Sequence, residues 1–198
     1  MKEQIKRVGN AERFFVVTGG PGSGKSSLID ALQNNGYARS VEAGRGVIQD
    51  QTTIGGRALP WVDPILFAEM MLCWEMRSYQ TATHQRGLVF FDRGVPDVIG
   101  YLRLMDLPVP AHLEKAARTF RYNRRGFIAP PWQEIFRQDN ERKQNFDEAV
   151  RTYHTMVVTY TALGYDLEEI PRVPIDERVR FVLQSVDPVT RLFPPPSI

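Results

Sequence analysis

The chain has 198 residues, 42% of them hydrophobic, which is enough for one domain with a sizeable core and too few for a second independent domain. Its 25 basic and 23 acidic residues leave a formal charge of +2, and this near balance argues against an electrostatic footprint for long duplex DNA. The first thirteen residues hold no apolar signal region and no stretch is apolar enough to span a bilayer, so a soluble, cytoplasmic protein without a membrane partner is expected.

Arg13 to Val17 is a short β-branched and aromatic run that stops at Gly19-Gly20, the pattern of a buried strand. Ser26 to Gln33 follows as a helix, ended by Asn34, Asn35 and Gly36. Tyr37 to Val41 is a second, weaker strand. Asp63-Pro64 supplies an N-cap and a first-turn proline for a helix that runs to about His84. That helix is apolar on more than one face and reads as largely buried, its methionines as core filler and Cys73, the single cysteine, as a core thiol. One cysteine excludes an intrachain disulfide and a thiolate zinc cluster. The three histidines are far apart and have no ligand-like spacing.

Leu88 to Phe91 is the third strand, apolar throughout as buried parallel strands are. Helices follow at Asp97 to Leu104 and Ala111 to Phe120. Gly126 to Ala129 is a short strand stopped by Pro130-Pro131. Phe146 to Leu163 is a long helix, Tyr165 to Ile170 the last strand and Pro174 to Val186 the last helix. The alternation predicts an α/β fold, a parallel sheet covered on both faces, with ligands at the carboxyl ends of the strands. Residues 1–190 form one domain and residues 191–198 a Pro-rich tail.

Three segments carry chemistry. "GGPGSGKS" fits G-x-x-x-x-G-K-[ST], with a strand before it and a helix after it. Gly19, Gly20, Pro21, Gly22, Ser23, Gly24, Lys25, Ser26 and Ser27 form the candidate nucleotide site. Glycines let the backbone turn its N–H groups inward as an anion nest, and the helix dipole adds to it. Lys25 reaches the β- and γ-phosphates of ATP, and the Ser26 hydroxyl ligates Mg2+. In "FFDRGVPD", Asp92 ends an apolar strand where a carboxylate holds the same magnesium. Its neighbour Arg93 stands where a motor ATPase has a water-activating glutamate. Arg93 either holds an acceptor or neutralises charge developing on the transferring group, or it only pairs structurally with Asp92. In "VEAGR", Glu42 ends the second strand as a candidate general base, and Arg45 one helical turn on is a candidate acceptor ligand. The plainer alternative is an exposed Glu42–Arg45 pair of little consequence.

With these segments in place, the chain resembles the P-loop small-molecule kinases, the nucleoside and nucleotide kinase group. Within it the chain is similar to a compact AAA-domain ATPase/kinase family that includes the nicotinamide riboside kinase domain of the NAD-regulating protein. The likeness runs through the P-loop, "VEAGR", "FDRGVPD", "FIAPPW" and "GYDLEEIPRVPIDERVRFVL". It implies a three-layer fold with a five-stranded sheet in the order 2-3-1-4-5. It also implies a helical lid over about residues 132–146, with Arg137 and Arg142 closing on the phosphates, and "IPRVP" near the nucleotide base. A solvated charged helix is the alternative for the lid segment.

The leading expectation is an ATP- and Mg2+-dependent phosphotransferase with a small nucleoside- or nucleotide-like acceptor, Glu42 or Asp92 serving as base. A nucleotide-dependent switch is the second. A nucleic-acid-end kinase is the third, resting on Phe120 and Tyr122 among the arginines of "RTFRYNRRG". Homo-oligomerisation is not readable.

Overall fold

The computed structural model describes residues 10–136 and 145–190. A helical turn, α1 (Asn10–Arg13), enters β1 (Phe14–Gly19), which is buried along its whole length. Next come α2 (Lys25–Asn34), the two-residue β2 (Ala38–Arg39), α3 (Ala43–Ile54), α4 (Pro64–Ala82) and β3 (Val89–Asp92). The chain continues through α5 (Val95–Leu104), α6 (Ala111–Thr119), β4 (Arg125–Ala129), α7 (Phe146–Ala162), β5 (Asp166–Glu169) and α8 (Ile175–Thr190). The strands form one parallel five-stranded sheet in the order β2-β3-β1-β4-β5, as expected.

Side chains alternate across a strand, so β1 feeds two cores. Phe14 and Val16 join Val89, Phe91 and Ile128 beneath Met156 and Tyr160 of α7. Phe15 and Val17 join Phe90 and Phe127 beneath Leu28 and Ile29 of α2 and Val182 of α8. A third core lies between α3, α4, α5 and α6, off the end of the sheet. It forms one side of the crevice discussed below.

Three expectations need correction. Cys73 is exposed, not buried. Helical spacing puts it on the outer face of α4 with Leu66 and Met70, which are also exposed, while Phe67, Met71, Leu72 and Glu75 turn inward. Helix α4 is therefore buried on one side only. Helix α3 was expected only as a turn after Glu42, because "AGRGVIQDQTTI" holds two glycines and a β-branched end that depress helix propensity. Tertiary packing of Val47 and Ile48 overrides that weak preference. Its C-terminus is capped by Gly55 at φ 66°.

Arg13, read from sequence as the first strand residue, instead ends α1 and is buried. Its guanidinium donates to the carbonyls of Ala82, Thr83, Gln85 and Gly87, closing the last turn of α4. The lid candidates Arg137 and Arg142 and the tail 191–198 lie outside the described residues. Among the described residues no helix is long and apolar enough to cross a membrane.

Candidate active site

Every sequence-predicted site residue that is described lies at the carboxyl edge of β1, β2 or β3. The loop between β1 and α2 wraps tightly. Gly24 caps α2 at φ 76°, and a Cβ there would stand 2.6 Å from Arg178 Nη1. Lys25 bends across the loop, its Nζ donating to the Gly20 carbonyl at 2.5 Å and to Ser23 Oγ at 3.2 Å. Ser23 Oγ also donates to the Gly20 carbonyl at 2.8 Å. The loop is thus held in shape by its own side chains.

Ser26 Oγ donates to Asp92 Oδ2 at 3.2 Å. The other oxygen, Asp92 Oδ1, is buried with no hydrogen-bond partner among the described residues. Burial and then the charge of Glu42 raise the Asp92 carboxyl above its ordinary value, against the opposing pull of Lys25, Arg93 and Ser26. A desolvated carboxylate with one orphaned oxygen beside a serine hydroxyl suits a hard divalent cation, so the donors present fit Mg2+. Among the described residues there is no group of three or more His, Cys, Asp or Glu placed to hold a metal.

Arg93 follows Asp92 with φ 71°, left-handed for a residue with a Cβ. Its backbone turn sends the guanidinium back over the crevice. Nε meets Glu42 Oε1 at 3.0 Å and Nη1 meets Asp97 Oδ1 at 3.1 Å. Arg93 therefore pairs with Glu42 and Asp97, and not through a hydrogen bond with its neighbour Asp92. Burial alone would weaken its proton affinity; the carboxylates of Glu42, Asp97 and Asp92 outweigh that and hold the cation firmly charged. Glu42 is the N-cap residue of α3 and is 7% exposed. Arg45 stands at 3.8 Å from its second oxygen. The Glu42–Arg45 pair is thus half of a larger, mostly buried cluster and not a surface pair.

Asp97 joins this cluster and was missed as a site residue. It accepts from Thr18 Oγ1 at 2.5 Å, Arg93 Nη1 at 3.1 Å, the Gly94 N–H at 3.0 Å and the Tyr160 hydroxyl at 2.6 Å. One carboxylate thereby ties the ends of β1 and β3 and the helices α5 and α7 to each other.

A cavity of about 400 Å³ opens from the P-loop at Pro21 past Glu42 and Arg93 into the third core. Phe67, Met71 and Met105 supply apolar walls, and Glu75 and Tyr101 also line it. It has the size and lining of a small-molecule pocket.

A family model described as "AAA domain" matches residues 14–178. The chain belongs to the AAA domain family. Among solved structures, this AAA domain is similar to deoxyadenosine kinase from M. mycoides with dCMP and a flexible dCDP bound. The identity is 12%, the TM-score 0.62, and 89% of this chain and 100% of that one are covered. NadR protein in complex with NR gives 15% identity and a TM-score of 0.67 over 91% of this chain and 52% of that one. The chain thus spans about half the length of NadR. Thymidylate kinase from Ehrlichia chaffeensis gives 14% identity and a TM-score of 0.58 over 89% of this chain and 99% of that one. At these identities the likeness is one of fold. No curated protein matches the chain.

The AAA domain holds one further site residue that sequence reading missed. Arg178, on α8, is 3% exposed; Nη2 donates to the Ser23 carbonyl at 3.1 Å and Nε has no partner among the described residues. Only its basic character signalled it, which 25 residues share. The segment "RTFRYNRRG" does not form a nucleic-acid platform. Tyr122 is buried, Phe120 packs on the core, Arg121 stacks on Tyr165, and Arg124 and Arg125 pair with Asp166 and Glu168. With both aromatics turned inward, no ring is offered for a base to stack on.

Proposed function

We propose that the protein is a P-loop kinase that moves the γ-phosphate of ATP to a hydroxyl of a small nucleoside- or nucleotide-like acceptor. The observation that carries this reading is the continuity of the pocket with the P-loop, Glu42 and Arg93 standing at the junction. A switch needs no acceptor cavity beside its phosphates. The likeness in fold to three nucleoside- or nucleotide-related proteins supports the same reading.

Lys25 and the backbone amides of the loop hold the β- and γ-phosphates. Ser26 and Asp92 would hold Mg2+, which would neutralise charge developing on the phosphate oxygens. The acceptor hydroxyl oxygen bonds to the γ-phosphorus as the bond to the β–γ bridging oxygen breaks, releasing ADP. Glu42 takes the hydroxyl proton. Glu42 suits that role better than Asp92 because it lines the acceptor pocket, whereas Asp92 is turned toward Ser26. Arg93, fixed by Glu42 and Asp97, holds positive charge where the transferring group passes. Arg45, half-exposed beside Glu42, is suited to an anionic acceptor.

The test is ATP consumption with magnesium against nucleosides, nucleoside monophosphates, nicotinamide riboside and sugars, with Lys25→Ala as the blank. Turnover stimulated by one acceptor well above the blank is expected. Tight ATP binding with no stimulation by any acceptor would overturn the kinase reading in favour of a switch.

A further inference from the structure

Two polar groups in the pocket take no part in phosphoryl transfer. Glu75, from the inner face of α4, is 2% exposed, and its Oε2 has no hydrogen-bond partner among the described residues. The Tyr101 hydroxyl, from α5, is likewise buried and unpartnered. Both residues line the cavity. Buried polar groups in native proteins are almost always paired, and each exception calls for a cause. Asp97, in the same cavity and as deeply buried, shows that the fold can satisfy a carboxylate when it is structural, since it accepts four hydrogen bonds. Glu75 Oε2 is left without a partner among the described residues, in a pocket also lined by Phe67, Met71 and Met105.

The surroundings decide what Glu75 presents. Burial first, and then the negative charges of Asp97, Asp92 and Glu42 against the single opposing charge of Arg93, push its carboxyl well above the usual range. A neutral carboxyl offers one donor and one acceptor side by side. The complement is an edge with an N–H beside an acceptor atom, on a body apolar enough to lie against Phe67, Met71 and Met105. The same carboxylates repel an anionic ring substituent.

We infer that Glu75, together with the Tyr101 hydroxyl that lines the same pocket, determines the acceptor by recognising a non-anionic ring whose edge pairs an N–H donor with a hydrogen-bond acceptor, as in a nucleobase or an aromatic carboxamide. The catalytic use of that binding rests on the kinase reading above; the binding itself does not. A site built to pair a polar edge rejects the analogue that lacks it, because its own groups are then left unsatisfied.

The test is calorimetric titration, without ATP, of adenosine, guanosine, cytidine, uridine, nicotinamide riboside and a phenyl C-riboside, whose ring has no polar edge. Wild type, Glu75→Gln, Glu75→Leu and Tyr101→Phe are compared, with thermal melts to establish folding. The best-bound wild-type ligand should weaken by about tenfold or more in Glu75→Leu and by less than about threefold in Glu75→Gln, which keeps the donor–acceptor pair. The phenyl C-riboside should bind Glu75→Leu at least as well as wild type, and affinity for an ATP analogue should not change. Tyr101→Phe gives an independent arm, with weakening for the polar-edged ligand only. Binding of none of the panel by wild type would overturn the proposal, and so would discrimination left intact in Glu75→Leu and Tyr101→Phe. Binding without acceptor-stimulated turnover would instead sink the kinase reading and leave this one standing.

Discussion

Replacing Asp97 with asparagine tests whether one carboxylate organises the site. Asparagine keeps the shape, removes the charge and turns one acceptor oxygen into an N–H2 donor. Either orientation fails. Placed toward Oδ1, the amide nitrogen faces Thr18 Oγ1 and the Arg93 guanidinium; placed toward Oδ2, it faces the Gly94 N–H and the Tyr160 hydroxyl. Hydroxyls can rotate to accept, but an amide N–H and a guanidinium cannot. At least one N–H donor is therefore left unpaired, and Arg93 keeps one carboxylate partner where it had two. Breaking a buried ion pair by removing one partner costs about 3–5 kcal/mol. A typical domain is stable by about 5–15 kcal/mol, so the variant should be marginal. Urea unfolding should show the midpoint falling with little change in slope. Thr18→Val and Tyr160→Phe should each cost about 1–3 kcal/mol alone and clearly less in the Asp97→Asn background, because their partner is already compromised. A loss under about 1 kcal/mol for Asp97→Asn, or full additivity in the double variants, would refute the hub.

Three further outcomes follow from the same geometry. Arg13→Met should cost about 2–4 kcal/mol in urea unfolding, since four carbonyls at the end of α4 and in the turn after it lose a charged donor, while ATP affinity stays within about twofold. A stability change near zero would mean water closes that turn equally well. Gly24→Ala combines a left-handed backbone, costing about 1–2 kcal/mol, with a methyl 2.6 Å from Arg178 Nη1. Affinity for a fluorescent ATP analogue should drop about tenfold or more, and unchanged affinity would mean that the loop relaxes freely. Glu75 gives a pH signature. Its folded-state value lies well above the 4.5 of an exposed glutamate, owing first to burial and then to Asp97 and Asp92. The folded protein keeps a proton that the unfolded chain releases, so this contribution to stability is complete below the unfolded value. It is lost as pH rises through the raised folded value. Melting temperature should therefore decline less in Glu75→Gln than in wild type as pH rises above the ordinary glutamate value of 4.5; parallel declines would contradict the assignment.

The parts of the site legible in the sequence were those fixed by local chain order. The P-loop announces itself because its glycines, lysine and serine must be consecutive for their backbone amides to converge. Asp92 and Glu42 were readable because each ends a run that reads as a strand, and strand ends in a parallel sheet share an edge. Glu75, Asp97 and Arg178 were not. Glu75 sits mid-helix among apolar residues, and nothing local shows which face of α4 turns inward; the same ambiguity misplaced Cys73. Asp97 read only as the start of a helix, because its partners Thr18 and Tyr160 are 79 and 63 residues away. Arg178 approaches the P-loop across 155 residues of chain.

The Arg93 turn explains why these long-range contacts matter to the chemistry. A left-handed residue with a side chain costs about 1–2 kcal/mol, and a glycine in its place would avoid that. The backbone accepts the strain because it aims the guanidinium over the crevice, where Glu42 and Asp97 hold it from two sides. Each partner is positioned by a different element: Glu42 by the start of α3 and Asp97 by Thr18, Gly94 and Tyr160. Positive charge is thus fixed beside the P-loop before any substrate arrives, which is the condition for electrostatic stabilisation without reorganisation. It also follows that Arg93→Gly, although it relaxes the backbone, should both destabilise the fold and abolish transfer. The Glu42 and Asp97 charges would then be left buried without their shared counter-ion. A variant that gained stability while keeping activity would show that the turn serves neither purpose.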